Sequence, residues 1–245
     1  MLYRYAFISD IHANSLALSA VLDDIARRDI KSVYNLGDSL FGPLDVHGTF
    51  ELLSSHNICH IMGNGDRELL LPPDGSINTM NQIRQSLTAT EREWLKHLPY
   101  CIQTDHFLAF HGSPESDEKY LFERLTDAGV HLKNHDELAE SLAGTSSPVI
   151  ICGHSHLPRV GKLSSGTLVI NAGSVGLPAY QDILPVKHKM ESRSPHAKYA
   201  ILDIQNGYKV DIIHVPYDWK AAADQARSQN RHDWAYSLET GFVIS

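Results

Sequence analysis

Apolar and polar positions change period along this chain in a repeating order. Residues 3–9 (YRYAFIS) form a mostly apolar run of strand length. Residues 14–29 (NSLALSAVLDDIARRD) then carry apolar side chains at helical spacing behind Asn14, a residue type that caps helix N-termini. The order recurs with a strand-like KSVYNLGD (31–38), a helix-like TFELLSSH (49–56) and a strand-like NICHIMGN (57–64). Each of the three strands ends at a polar cluster, which predicts a sheet whose carboxyl-end loops share one rim. Asn64-Gly65, after a β-prone stretch, also reads as a hairpin turn, because both residues tolerate positive φ.

Beyond Pro72-Pro73 the spacing predicts a polar helix over 81–97, then a strand pair at 100–104 and 106–112, and amphipathic pieces at 116–127 and 134–143. SPVIICGHSH (147–156) reads as a strand ending in polar residues. Short β-like runs at 159–163, 167–170, 198–204 and 208–215 suggest an antiparallel addition, and a helix is expected near 218–228. With no internal repeat, low-complexity segment or linker, the pattern predicts one α/β domain over 1–245. A helical insertion is expected at about 72–98 and a loop insertion at about 178–197.

Composition narrows the function classes. The 245 residues are 42% hydrophobic and 20% charged, as expected of a soluble globular protein. Twenty-nine acidic against 21 basic side chains give a net charge of -8 without long like-charge runs, which argues against nonspecific nucleic-acid binding. No stretch approaches the length of a membrane helix, and the N-terminus enters a strand pattern at once, so neither a membrane anchor nor a signal peptide is expected. Cys59, Cys101 and Cys152 are odd in number, widely spaced and set in or beside apolar runs. They are read as buried thiols of a cytoplasmic protein. The 15 histidines favour a nitrogen and oxygen metal site over a thiolate one.

The strand ends carry Asp10-Ile11-His12, Gly37-Asp38, Gly63-Asn64, His111-Gly112 and Gly153-His154-Ser155-His156. Each pair alone is a common accident of sequence. Together, Asp10, His12, Asp38, Asn64, His111, His154 and His156 supply enough oxygen and nitrogen donors for two divalent ions if one carboxylate bridges, and Asp38 is the natural bridge. Such donors suit Mn, Fe, Zn, Co or Ni better than calcium.

SDIHAN, LGDSL, MGNGDR, FHGS and CGHSH resemble, in order, the five motifs of the calcineurin-like metallophosphoesterases, and most closely their small prokaryotic phosphodiesterase branch. FGPLD, WLKHLP, INAGSVGLPA and VPYDWKAA extend the likeness over nearly the whole chain. The resemblance implies two packed mixed β-sheets flanked by helices, in an αββα arrangement. It implies one metal on Asp10, His12, Asp38 and His156 and a second on Asp38, Asn64, His111 and His154. The implied activity is hydrolysis of a phosphodiester or nucleotide-like phosphoanhydride by a metal-bridging hydroxide, with no protein nucleophile. Phosphoprotein phosphatase activity, or a noncatalytic metal-binding interaction module, are the alternatives. Asp38, Asn64, Asp66 and Arg67 form the expected catalytic set, Arg67 as a phosphate clamp or, alternatively, an ion-pair partner of Asp66 or Glu68.

One motif departs from the family pattern. Where the family has a histidine after the metal-binding asparagine, this chain has Gly65, which can neither donate a proton nor stabilise charge through a side chain. Three explanations stay open: an acidic leaving group, a substitute imidazole such as His47 or His188, or a site that keeps metals without turnover. Asn171 and the Gly173-Ser174-Val175-Gly176 turn either support a ligand or are structural, and the basic stretch 187–198 is either a polyanion-binding loop or a solvated one.

Overall fold

Strand β1 (Tyr3–Ile8) turns alternate side chains into two different cores. Ala6 and Ile8 pack with Leu18, Val21 and Leu22, whereas Tyr5 and Phe7 pack with Phe107 and Ile151, as a strand covered on both faces must. In the computed structural model, which describes residues 2–76 and 78–244, this division organises the chain. Helix α1 (Ser15–Arg27) starts at Asn14, whose side chain accepts from Ala17 N at 3.1 Å. It is followed by β2 (Ser32–Asn35), α2 (Val46–Ser55) and β3 (Ile58–His60), and the three strands pair in parallel. Three short helices come next: α3 (Asn64–Leu69), α4 (Thr79–Ser86) and α5 (Ala89–Lys96).

The second half opens with β4 (Cys101–Gln103) and β5 (Leu108–Phe110), the hairpin β6 (Glu123–Thr126) and β7 (Gly129–Leu132), and α6 (His135–Glu140). It continues with β8 (Val149–Cys152), β9 (Arg159–Lys162), β10 (Leu168–Asn171) and a second hairpin, β11 (Ala179–Asp182) and β12 (His188–Glu191). The long strands β13 (Ala197–Ile204) and β14 (Tyr208–Val215) precede α7 (Trp219–Ser228) and α8 (His232–Thr240). One five-stranded sheet has the order β14-β13-β1-β2-β3 and the other β4-β5-β8-β10-β9. Both are mixed, since β13 runs antiparallel to β1, and β4 and β9 are antiparallel to their neighbours.

Tyr5, Phe7, Leu36, Phe107, Val149, Ile151 and Ile170 fill the space between the sheets. Helix α1 covers the outer face of the first sheet, and Leu138 of α6 packs with Ile150, Cys152 and Val169 on the outer face of the second. This is the αββα sandwich expected from the sequence. Among the described residues, no helix is long and apolar enough to cross a membrane.

Several local expectations change. Asn64-Gly65 opens α3 instead of turning a hairpin. The helix expected over 81–97 is two helices, broken where Thr88 caps α5 reciprocally with the buried Glu91. The amphipathic stretch 116–127 ends in strand β6, because buried Leu121 and Phe122 are adjacent and leave no helical stripe. The expected loop at 178–197 contains the β11–β12 hairpin. Cys59 and Cys101 are exposed, on short strands, and only Cys152 is buried.

Candidate metal centre

The carboxyl ends of both sheets meet at one rim. Asp10 and His12 follow β1, Asp38 follows β2, Asn64 opens α3, His111 follows β5, and His154 and His156 follow β8. Asp10, His12, Asp38, His154 and His156 hold left-handed backbone with φ between 51° and 66°, a region where Asp and His are among the better tolerated non-glycine residues. Backbone hydrogen bonds lock the loops together: Asp10 N to Gly37 O at 3.0 Å, His12 N to Asp38 O at 2.9 Å, and Gly176 N to Asp10 O at 3.0 Å. Gly37 has φ of +101°, and a Cβ there would fall 2.4 Å from Gly63 N, so the turn before Asp38 requires glycine.

Two tight donor groups result, Asp10 with His12 and His156, and Asp10 with Asp38 and His111, their ligand atoms within 4.8 Å of one another. Asp10 Oδ1 lies 3.4 Å from His156 Nε2 and 4.0 Å from His111 Nε2. Asp38 reaches both groups, with Oδ2 3.8 Å from His12 Nε2 and Oδ1 3.6 Å from His111 Nε2. Asn64 Oδ1 is 3.1 Å from His111 Nε2.

Four backbone carbonyls set the imidazoles. Nδ1 of His12 faces Phe41 O at 2.8 Å, Nδ1 of His111 faces Leu36 O at 2.8 Å, and Nδ1 of His156 faces Leu177 O at 2.6 Å. His154 is reversed, with Nε2 3.0 Å from Glu118 O. A nitrogen facing a carbonyl must carry the proton, so in each neutral ring the other nitrogen offers a lone pair. His12 and His156 therefore face each other lone pair to lone pair at 3.0 Å. Asp10 Oδ1 is buried with no hydrogen-bond donor. Such a concentration of unpaired acceptors fits divalent cations.

The shifts of His12, His154 and Asp10 agree with that fit, and that of His111 runs against it. Burial, helped by His156, pushes His12 down to about 4, and burial, helped by His111, pushes His154 down to about 4. Burial would raise Asp10, but His156, His111 and His12 outweigh it and hold the carboxyl well below its usual range. His111 is raised, because Asp38 and Asp10 outweigh its desolvation.

A profile of the Calcineurin-like phosphoesterase superfamily domain matches residues 3–207. The chain belongs to that superfamily. It is 27% identical, over 94% of each chain, to the uncharacterized protein MJ0912 of Methanocaldococcus jannaschii. Its fold is similar to that of a metallophosphoesterase from Sphaerobacter thermophilus, with TM-score 0.74, 23% identity and coverage of 96% of this chain and 100% of that one. It is also similar to the hypothetical protein PH1004 from Pyrococcus horikoshii, with TM-score 0.76, 19% identity and coverage of 98% and 99%.

Around this candidate centre the other residues singled out by sequence have varied positions. Asp66 is fully buried and accepts from the N–H groups of Ser39, Leu40 and Gly63 at 2.9 to 3.3 Å. It therefore shapes the Asp38 loop from behind and does not face the cleft; burial and the nearby Asp38 push its carboxyl up to about 7. Arg67 grips Asp117 with Nε at 2.7 Å and Glu118 with a terminal nitrogen at 2.7 Å, so its fork is already occupied. His47 pairs with Glu91 at 2.6 Å, outside the cleft. His188 is buried, its Nε2 2.8 Å from the Tyr120 hydroxyl. Asn171 donates to Gly153 O at 2.6 Å and Ser155 Oγ at 3.1 Å, and Ser174 Oγ donates to Asp10 O at 2.8 Å, so both brace the loops that carry the candidate ligands. In the basic stretch, Lys198 is buried and donates to Ser192 Oγ, Ser194 O and His196 O, and no residue of 187–198 lines the cleft.

The cleft over the ligands has a volume of about 360 Å³. Sequence reasoning missed several of its walls. Tyr120 stacks on His154 with ring centroids 4.7 Å apart, and Tyr180 lies 4.4 Å from His156. Phe41, Glu68, Met80, Arg231 and Trp234 complete the opposite elements. Arg231 is the N-cap of α8 and Trp234 lies within it, and the Trp234, Ala235 and Leu238 spacing was the available sign of that helix.

Proposed function

We propose that the chain is a dinuclear metal-dependent phosphoesterase that hydrolyses a phosphodiester or a nucleotide-like phosphoanhydride. The carrying observation is the convergence of Asp10 and Asp38 with backbone-oriented imidazole lone pairs beside an open cleft. Asp10, His12, Asp38 and His156 hold one ion, and Asp38, Asn64, His111 and His154 the other; the two Asp38 oxygens, turned toward His12 and His111, support its bridging role. Mn, Fe, Zn, Co or Ni suit these donors. When bound, two such ions supply Lewis-acid charge for a phosphoryl group and lower the pKa of water.

The chain's own residues hold this geometry. Gly65 N donates to Asp38 Oδ1 at 2.8 Å, fixing the shared carboxylate. No side chain stands at position 65 to protonate a leaving oxygen, which favours acidic leaving groups over the serine and threonine alkoxides of a phosphoprotein phosphatase. A cytoplasmic location is in keeping with three unpaired cysteines.

Metal analysis of purified protein, combined with Mn-supported hydrolysis of bis(p-nitrophenyl) phosphate, tests the reading. Stoichiometric metal and turnover are expected. Metal without turnover on any diester, anhydride or phosphopeptide makes the chain a noncatalytic metal-binding module instead.

A further inference from the structure

The cleft's charges are unusual for an anion-binding site. Beyond the metal ligands its charged lining consists of Glu68, Asp182 and Arg231. Arg231 is already committed: Nε and a terminal nitrogen hold Asp233 at 2.8 and 2.6 Å, and the other holds Thr79 Oγ1 at 2.6 Å. Glu68 is half-buried, and among the described residues its carboxylate has neither a hydrogen bond nor an ion pair. Asp182 accepts from Ile183 N and Leu184 N through one oxygen, leaving the other open. Partly exposed Phe41 and Met80 supply apolar surface in the same cleft.

From these observations we infer that the cleft beside the metal ligands is a subsite for one uncharged, flat organic group that donates hydrogen bonds to Glu68 and Asp182, as a nucleoside does. The substrate is then a phosphodiester with a single phosphate, and polyphosphates are excluded. This rests on the metal-dependent phosphoesterase reading and narrows its substrate class.

Charge explains the exclusion. Asp10 and Asp38 set against two divalent cations leave a surplus of only two positive charges, enough for a diester. Further phosphates have to be met by free cationic side chains, and the described cleft lining has none; it meets them with two carboxylates. A volume of about 360 Å³ lies at the small end of the roughly 300–1,000 Å³ usual for ligand sites, which suits one nucleoside better than two joined by a phosphate chain.

Calorimetric titration at a fixed free Mn²⁺ concentration, held so that chelation does not strip the protein, tests this with three probes. They are the methyl ester of adenosine 5′-monophosphate, dimethyl phosphate, and ATP. The adenosine ester is expected to bind more tightly than both others. In a Glu68→Gln, Asp182→Asn double variant, ATP is expected to gain roughly threefold to tenfold per charge removed, while the adenosine ester loses affinity. ATP binding best to the wild-type protein, or a double variant with an unchanged ATP-to-ester ratio, overturns the inference. Equal binding of dimethyl phosphate and the adenosine ester overturns the organic subsite. Stoichiometric Mn²⁺ accompanying any of these failures leaves the phosphoesterase reading standing, whereas absence of bound Mn²⁺ removes that reading itself. Met80→Gln, a change in the same wall that alters no charge, is expected to weaken the ester without favouring ATP; a gain for ATP there contradicts the charge argument.

Discussion

A Cβ placed on Gly65 would lie 3.0 Å from Phe41 Cβ and 3.1 Å from Asp38 Oδ1. The missing imidazole is therefore more than a lost acid, because a side chain at that position crowds the carboxylate assigned to both metals. Gly65→His is expected to lower kcat/KM for good and poor leaving groups alike. Overpacking of about 1–3 kcal/mol, if it falls on Asp38, corresponds to roughly fivefold to 150-fold. A gain restricted to poor leaving groups, measured on aryl and alkyl diesters in parallel, would show instead that the space opens readily and that only the acid was lacking. Asp38→Asn removes a charge from the carboxylate proposed to bridge the two ions, whose oxygens face His12 and His111. Metal content is expected to fall below two ions per chain, with activity on an activated diester reduced at least about a hundredfold, or roughly 3 kcal/mol of transition-state stabilisation; retention of both ions and full rate contradicts the bridge.

At the scale of elements, β3 carries a titration separable from the candidate metal ligands. His60 is packed edge-on to Trp94 with centroids 5.1 Å apart, and burial pushes it from 6.5 down to about 4. A histidine held neutral contributes stability above the unfolded value and loses it as pH falls from about 6.5 to about 4. Urea unfolding of metal-free protein at pH 7 and pH 5 is expected to show a smaller acid loss in His60→Gln than in wild type; equal losses rule out His60 as a contributor. The same strands show what was legible in sequence. Strands β1, β2 and β8 and amphipathic α1 carry their periods plainly, and the polar residues at strand ends mark the candidate centre. The cleft walls did not, because Phe41, Tyr120, Tyr180 and Trp234 come from separate loops, a strand and a helix that only tertiary packing assembles. The Asn64-Gly65 pair misled as a hairpin for a related reason. Gly63 and Asp66 satisfy a helix start whose partner groups, on Ser39 and Leu40, lie far away in sequence.

For the whole molecule, the carboxyl ends of two sheets are joined through acceptors that have no donors. Ligand binding to the folded state alone stabilises by about 2.7 kcal/mol per site at a hundredfold excess over Kd. For a chain of this size that is roughly 5 °C or more in Tm per saturated site. Mn²⁺ is expected to raise Tm and EDTA to reverse it; a melting curve indifferent to Mn²⁺, Zn²⁺, Co²⁺ and Ni²⁺ argues against metals as part of the fold.

The left-handed backbone at Asp10, His12, Asp38, His154 and His156 carries a consequence for how such a centre changes over time. Valine, isoleucine and threonine are poorly tolerated there, and longer donors such as glutamate gain nothing from the short local contacts that ease Asp into this region. The loops thus filter substitutions before metal chemistry does. A shift of metal preference is easier to reach through the carbonyl contacts at Phe41, Leu36, Leu177 and Glu118, which tune the imidazoles while leaving the ligand roster intact.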